Sequence, residues 1–231
     1  MTDPKSTREV SARVSRRWPL VSAITAFVLV AVLALIVVYR EANKPFGFEV
    51  EWMSELVEHR GEPWTWLALV FNSVGGGVLA IAVIPVVTIV GLLLFRRPWA
   101  ALYYASATLL ATLIVQLVKN IVGRPRPLDI LVAADPGSFP SGHSANAAVM
   151  AATFAIIFPR VWVWVAGAVY TVGMMLSRTY LGAHWISDTI GGLLIALGVA
   201  IIIWAPLANR LQREREQPHP PIWQRASSES A

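Results

Sequence analysis

The chain has 231 residues, 56% hydrophobic and 14% charged, with a formal net charge of +5 and no cysteine. Such a composition excludes an ordinary soluble domain of this size, and the lack of cysteine excludes disulfides and thiolate metal sites. The positive charge does not mark a nucleic-acid binder, because the basic residues sit in short runs between apolar stretches, as in one membrane domain with polar ends.

Residues 1–18 form a basic head with Lys5, Arg8, Arg13, Arg16 and Arg17. The pair Arg16-Arg17 is read as a cytoplasmic flank rather than an export signal. The apolar run 19–39 is too long for a signal-peptide core and matches the ~20 residues needed to cross a bilayer. Residues 40–63 are acidic, with Glu41, Glu49, Glu51, Glu55, Glu58 and Glu62. Phe48, Trp52 and Leu56 recur every fourth position, which fits either a short amphipathic helix on the outer surface or a solvated loop. His59 reads as an exposed member of this stretch.

Between residues 64 and 95 the apolar run is too long for one simple span, and Gly75-Gly76-Gly77 interrupts it. We place the second span at 78–95, preceded by a shallow or broken helix over 64–74. The glycines mark close packing or a hinge, and Pro85 is a kink candidate. Further spans are expected at 99–118, from Ser141 or Gly142 to 158, at 161–176 and at 185–204. The tail from Asn209 is charged, then rich in proline and serine, and is expected to be disordered. The expected architecture is an all-α polytopic membrane protein: a six-span bundle over 19–205 with a surface helix in its first outer loop, a head at 1–18 and a tail at 206–231.

Six spans put both termini on one side. That side holds the basic head, Arg96-Arg97, Arg160 and the basic tail residues. The other retains only Arg40, Lys44 and Arg60 once Lys119, Arg124, Arg126 and Arg178 are set aside. The bias places the termini in the cytoplasm and the polar loops outside. Trp18, Trp64, Trp99, Trp185 and Trp204 fall near span ends, as an aromatic belt would.

Three polar islands interrupt the apolar pattern on the outer side. Lys119, Arg124 and Arg126 place cations at the end of a membrane helix, where they either await an anion or snorkel to lipid phosphates. Ser141-Gly142-His143-Ser144 opens a helix whose free N–H groups and positive dipole end can hold a phosphate oxygen. Both serines also fit plain helix caps, and His143 fits an interfacial histidine. In the third island His184 and Asp188 are four apart, on one helical face, with Arg178 nearby. Such a His/Asp pair can ligate a metal, but the cations of the same pocket repel a metal and attract a phosphate.

Together the islands read Lys-x6-Arg-Pro (Lys119, Arg126, Pro127), Pro-Ser-Gly-His (Pro140 to His143) and Ser-Arg-x5-His-x3-Asp (Ser177, Arg178, His184, Asp188). In order and spacing they resemble the three-part signature of the type 2 phosphatidic acid phosphatase (PAP2) superfamily, most nearly its compact bacterial members. The resemblance covers residues 119–188, and the span layout extends it over 19–205. It implies a metal-independent lipid phosphate phosphatase of the cell membrane, with its active site outside and no cofactor. Lys119, Arg126 and Arg178 would clamp the phosphate, with Ser141 and the Gly142 N–H adding hydrogen bonds and Arg124 assisting. His184 would be the nucleophile, oriented by Asp188, and His143 the proton donor to the leaving oxygen.

Substrate would arrive laterally, near Trp185 or beneath the 48–60 helix. Undecaprenyl diphosphate, phosphatidylglycerophosphate and phosphatidate all present a suitable terminal phosphate; the sequence leaves the choice and the oligomeric state open. Two other readings share the clamp. One is a vanadate-dependent haloperoxidase, against which the apolar spans argue. The other is a non-enzymatic lipid-phosphate binder or transporter, which has no need of His184 paired with Asp188.

Overall fold

The structure, a computed structural model, describes residues 4–40 and 44–224, with side chains from Arg17 onward. The readings of the basic head before Arg17 and of the tail beyond residue 224 lie outside the described residues. Eight α-helices carry most of the described chain: α1 (Pro4–Tyr39), α2 (Gly47–Glu58), α3 (Trp64–Gly75), α4 (Ile84–Leu94), α5 (Pro98–Val122), α6 (Gly142–Ile157), α7 (Val161–Tyr180) and α8 (Ile186–Glu216). A π-helical turn, Leu79–Val83, leads into α4. No strand occurs among the described residues.

Four stretches are long and apolar enough to cross a membrane: Arg17–Tyr39, Pro98–Val122, Val161–Tyr180 and Ile186–Glu216. A fifth is a broken one, Trp64–Gly75 with Leu79–Leu94, bent by 45°. The protein is therefore an all-α, multi-pass membrane protein. The expected fourth span, α6, has 16 residues. At ~1.5 Å per residue it is about 24 Å long, short of a hydrocarbon core of roughly 30 Å.

The break in the fifth stretch follows from its glycines. Gly77 has φ +60, a left-handed conformation that costs glycine least. Pro85 sits where the π turn passes into α4; with no N–H to donate, it leaves a carbonyl of the preceding turn without its helical donor, and the distortion is taken up as the π turn. The carbonyl of Ala80, in the π turn, accepts from Asn146 Nδ2 at 3.3 Å.

Helix α8 runs through the centre, packed on α1, α5 and α6, while α7 covers α6 and α3. Small residues allow the approach, as expected where helices pack without a hydrophobic driving force between them. A Cβ on Gly192 would lie 2.4 Å from the carbonyl oxygen of Ser141, so α6 and α8 meet backbone to backbone there. Tyr103, fully buried, donates to the Ala200 carbonyl at 3.0 Å and ties α5 to α8.

The expected disordered tail gives way to structure. α8 continues past Trp204 to Glu216, and Leu211 and Glu214 on it are buried. Glu214 accepts from the N–H groups of Trp99 at 2.7 Å and Ala100 at 3.0 Å, capping α5 from another helix. Its carboxylate faces the positive end of the α5 dipole. Arg97 Nε lies 3.8 Å away, and its guanidinium also donates to the Ile157 carbonyl at 3.3 Å. Beyond α8 the chain folds back, with Ile222 N donating to Leu94 O at 2.9 Å. Composition alone read this segment as solvated, because its apolar and buried positions alternate with arginines that face outward. Glu214→Ala should cost about 1–3 kcal/mol, since one buried and one part-buried N–H group lose their acceptor. Thermal unfolding in detergent would show it as a lowered midpoint; an unchanged midpoint would mean that water replaces the cap.

Candidate active site

Three helix ends and two loops converge at one end of the bundle. Lys119 comes from the last turn of α5, His143 from the first turn of α6 and Arg178 from the last turn of α7. The 123–141 loop supplies Arg126, and the short α7–α8 connection supplies His184. That connection lies close against the 123–141 loop: Leu131 N donates to Leu181 O at 2.9 Å. Gly182, with φ +67, could carry no Cβ, which would fall 2.5 Å from the Asp129 carbonyl oxygen.

Lys119, Arg126, Gly142, His143, Arg178 and His184 line a single cavity of about 300 Å³. Six of the eight proposed site residues thus share one wall. The other two stand behind it. Ser141 is fully buried and caps α6, accepting from Ser144 N at 3.4 Å and Ser144 Oγ at 3.0 Å; the plain-cap alternative describes its contacts, not a phosphate ligand on the cavity wall. Asp188 is fully buried behind His184, its Oδ2 3.6 Å from His184 Nδ1. That separation is an ion-pair distance rather than a hydrogen bond; the same oxygen accepts from Trp185 N at 2.8 Å. With Nδ1 turned to Asp188, the other ring nitrogen, Nε2, lies 3.3 Å from an Arg126 guanidinium nitrogen.

Burial pushes the His184 imidazole down to about 4. Asp188 pulls the other way, and Arg126 and Arg178 add to the fall. The ring is therefore neutral at ordinary pH, the form in which nitrogen is nucleophilic.

The glycine break packs directly on the second histidine. A Cβ on Gly76 would lie 2.2 Å from His143 Nε2, and one on Gly75 would lie 2.1 Å from Met174 Cε. Close packing explains Gly75 and Gly76, whereas Gly77 has open space and a left-handed backbone. Arg178, 2% exposed, donates to Asn72 Oδ1 from α3, and its buried Nε has no hydrogen-bond partner among the described residues.

Several site residues were hidden in the sequence. Asp135 takes up two of the cations: Lys119 Nζ donates to its Oδ2 at 3.0 Å, and an Arg126 nitrogen lies 3.9 Å from Oδ1. Burial raises the Asp135 carboxyl, but the hydrogen bond and charge of Lys119, with Arg126, outweigh it and hold the group below the usual carboxylate range. Arg126 is further held by carbonyls of Asp135 at 2.9 Å, Gly137 at 2.9 Å and Ala183 at 2.5 Å. Arg124 is not on the cavity wall. It is fully buried and donates to Asp188 Oδ1 at 2.6 Å and Glu49 Oε2 at 2.7 Å. Glu49 belongs to α2, whose buried residues are Glu49 and Met53. The expected apolar stripe is the outward one instead, with Phe48 55% and Trp52 37% exposed. One in a run of six glutamates, Glu49 carried no signal beyond its place in the first turn of a helix.

Residues 100–211 match the PAP2 superfamily. Over 149 residues the chain is 31% identical to a lipid A 1-phosphatase of Rhizobium etli, covering 52% of this chain and 62% of that one. A phosphatidylglycerophosphatase B of Bacillus subtilis is 29% identical over 126 residues, covering 49% of this chain and 62% of the relative. The chain thus spans less than two thirds of the length of these relatives. The fold resembles the crystal structure of a transmembrane PAP2-type phosphatidylglycerolphosphate phosphatase from Bacillus subtilis, with TM-score 0.71 and 22% identity. That likeness covers 81% of this chain and 96% of the other.

Asp135 occupies the position of an anion between Lys119 and Arg126. Removing its charge should free both cations for a tetrahedral oxyanion. Asp135→Asn is expected to bind inorganic phosphate about two- to fivefold more tightly in detergent, the size of a partly exposed ion pair. Isothermal calorimetry would check this, and unchanged or weaker binding would show that the carboxylate does not compete for the clamp.

Proposed function

We propose that the chain is a member of the PAP2 superfamily, whose family model matches residues 100–211, and that its cavity hydrolyses the terminal phosphate of a membrane lipid phosphate or diphosphate. The single observation that carries this reading is the cavity itself. It gathers three fixed cations, a carboxylate-backed imidazole and a second imidazole on one wall.

The phosphate would displace the Asp135 carboxylate and be held by Lys119, Arg126 and the guanidinium of Arg178, with the Gly142 N–H beside it. Neutral His184 attacks phosphorus through Nε2, and the bond from phosphorus to the leaving oxygen breaks. His143 supplies the proton that this oxygen takes up. Asp188 stabilises the positive charge left on the phosphohistidine. In the second half-reaction His143 takes a proton from water, the resulting hydroxide attacks phosphorus, and inorganic phosphate leaves neutral His184 behind. No metal takes part: three cations already supply the charge that a metal would, and they repel one.

Trp185 is 9% exposed and its indole donates to the Pro125 carbonyl at 3.0 Å, and α2 is pinned by Glu49. Neither supports the expected entry routes. The cavity wall instead includes Ile81 and Thr112, which are exposed on the bundle surface between the π turn and α5. We assign this gap to the substrate's lipid chain, with the headgroup turned inward. With the bent pair counted as one span and α6 as a short one, the membrane is crossed six times. The positive-inside bias then puts both termini in the cytoplasm and the site outside, with α2 at the outer interface. Lipid A phosphates join undecaprenyl diphosphate, phosphatidylglycerophosphate and phosphatidate as candidate substrates, because relatives named for such lipids share the sequence.

Purified protein should release phosphate from at least one of these lipids with EDTA present. His184→Ala should lose at least about 10³-fold in kcat while remaining folded. Release that survives this substitution, or that stops with EDTA, would sink the mechanism, and an inert wild type would favour a lipid-phosphate binder. The pH profile offers a second check. Because the neutral ring attacks and its pKa is held at about 4, the acid limb of kcat/KM should lie at about pH 4 rather than in the ordinary histidine range. An acid limb centred between pH 6 and 7 that does not track substrate ionisation would show His184 in an ordinary environment.

A further inference from the structure

We propose that Glu49 and Arg124 are positioning residues for this reaction, with Glu49 drawing off the charge of Arg124 so that Asp188 stays free to balance a cationic His184. The inference rests on the phosphatase reading above and extends it to two residues that never touch the substrate.

Glu49, Arg124 and Asp188 are each fully buried. One Arg124 nitrogen donates to Asp188 Oδ1 at 2.6 Å and to Ser187 Oγ at 2.8 Å; the other donates to Glu49 Oε2 at 2.7 Å. The remaining Glu49 oxygen accepts from Ser187 N at 2.9 Å and Ser187 Oγ at 2.5 Å. Phe46 N donates to Oε2 at 2.9 Å, which closes the shell around the carboxylate. The second Asp188 oxygen is the one that faces His184.

The charge count gives this arrangement its meaning. A lone buried Asp188–Arg124 pair is neutral, and a positive charge formed on His184 would meet no net counter-charge. Two carboxylates around one guanidinium carry a net −1. The buried group of four is then balanced only when His184 is positive, as it is once phosphorylated. Before attack His184 is neutral, and the net negative charge of the cluster is met only from across the ring, where an Arg126 nitrogen stands 3.3 Å from Nε2; after attack His184 itself balances it from within the group. The stabilisation therefore appears as the reaction proceeds, which raises kcat rather than binding. A plain latch between α2 and the start of α8 would use the same contacts but predicts a different response to substitution.

The test compares Glu49→Gln, which keeps shape but removes charge, with the double variant Glu49→Gln/Arg124→Gln. Each is assayed in detergent with whichever lipid phosphate the wild type hydrolyses, and with orthovanadate as a phosphate-mimicking inhibitor of the clamp. Glu49→Gln should lower kcat by about 10- to 100-fold, with KM and vanadate inhibition within about threefold of wild type. Removing the Arg124 charge as well should raise kcat at least about threefold above the single variant, because Asp188 regains its full charge. An unchanged kcat in Glu49→Gln, a joint loss of kcat and vanadate inhibition, or a double variant no better than the single would each overturn the proposal. A wild type that releases no phosphate from any of the lipids overturns the phosphatase reading and this inference together. An active wild type with an indifferent Glu49→Gln overturns this inference alone.

Discussion

The structure is organised around like charge held inside an apolar bundle. Lys119, Arg124 and Arg178 are all at least nine-tenths buried, and cations at such depth are tolerated only with partners. Each partner set comes from a different part of the chain. Lys119 leans on the Asp135 carboxylate, Arg124 sits between two carboxylates, and Arg178 holds a side-chain amide from α3. The cations of the cavity are under-neutralised, whereas Arg124 behind them is over-neutralised. In the proposed reading, that contrast separates the wall that would receive an anion from the scaffold that would steady a histidine.

Much of this was legible before any fold was known. Helix ends concentrate unpaired N–H and carbonyl groups, so polar islands at the ends of apolar runs are where chemistry is affordable in lipid. The spacing within each island placed Lys119, Arg126, His143, Arg178 and His184 on one face of the membrane, and the cavity joins them. What stayed hidden depended on contacts between distant segments. Asp135 reads as one acidic residue in a polar loop, and Asn72 as one amide in an apolar helix. Glu49 reads as surface charge because its neighbours are glutamates as well. Only the approach of α2 to the start of α8 turns it inward. Ser141 runs in the opposite direction: it stands inside a motif, and the contacts its hydroxyl makes are those of a cap for α6.

The far end of the bundle shows the same limit. Arginine, glutamate and glutamine dominate residues 210–217, and composition reads such a run as solvated. The period of Leu211 and Glu214 on α8 puts them on the packed face instead. Glu214 then does for α5 what a cap residue normally does from within its own helix.

The shortness of α6 bears on the surroundings as well as on the protein. At about 24 Å, a helix that opens on the cavity cannot reach both water boundaries of an average bilayer. Because α5, α7 and α8 pack around it, the shortfall is met by the loops of the protein and by water descending toward its first turn rather than by lipid alone. Under the proposed mechanism, hydrophobic mismatch would become a control on the chemistry: the thickness of the host bilayer would set how far a headgroup must sink, and how easily the second half-reaction finds its water.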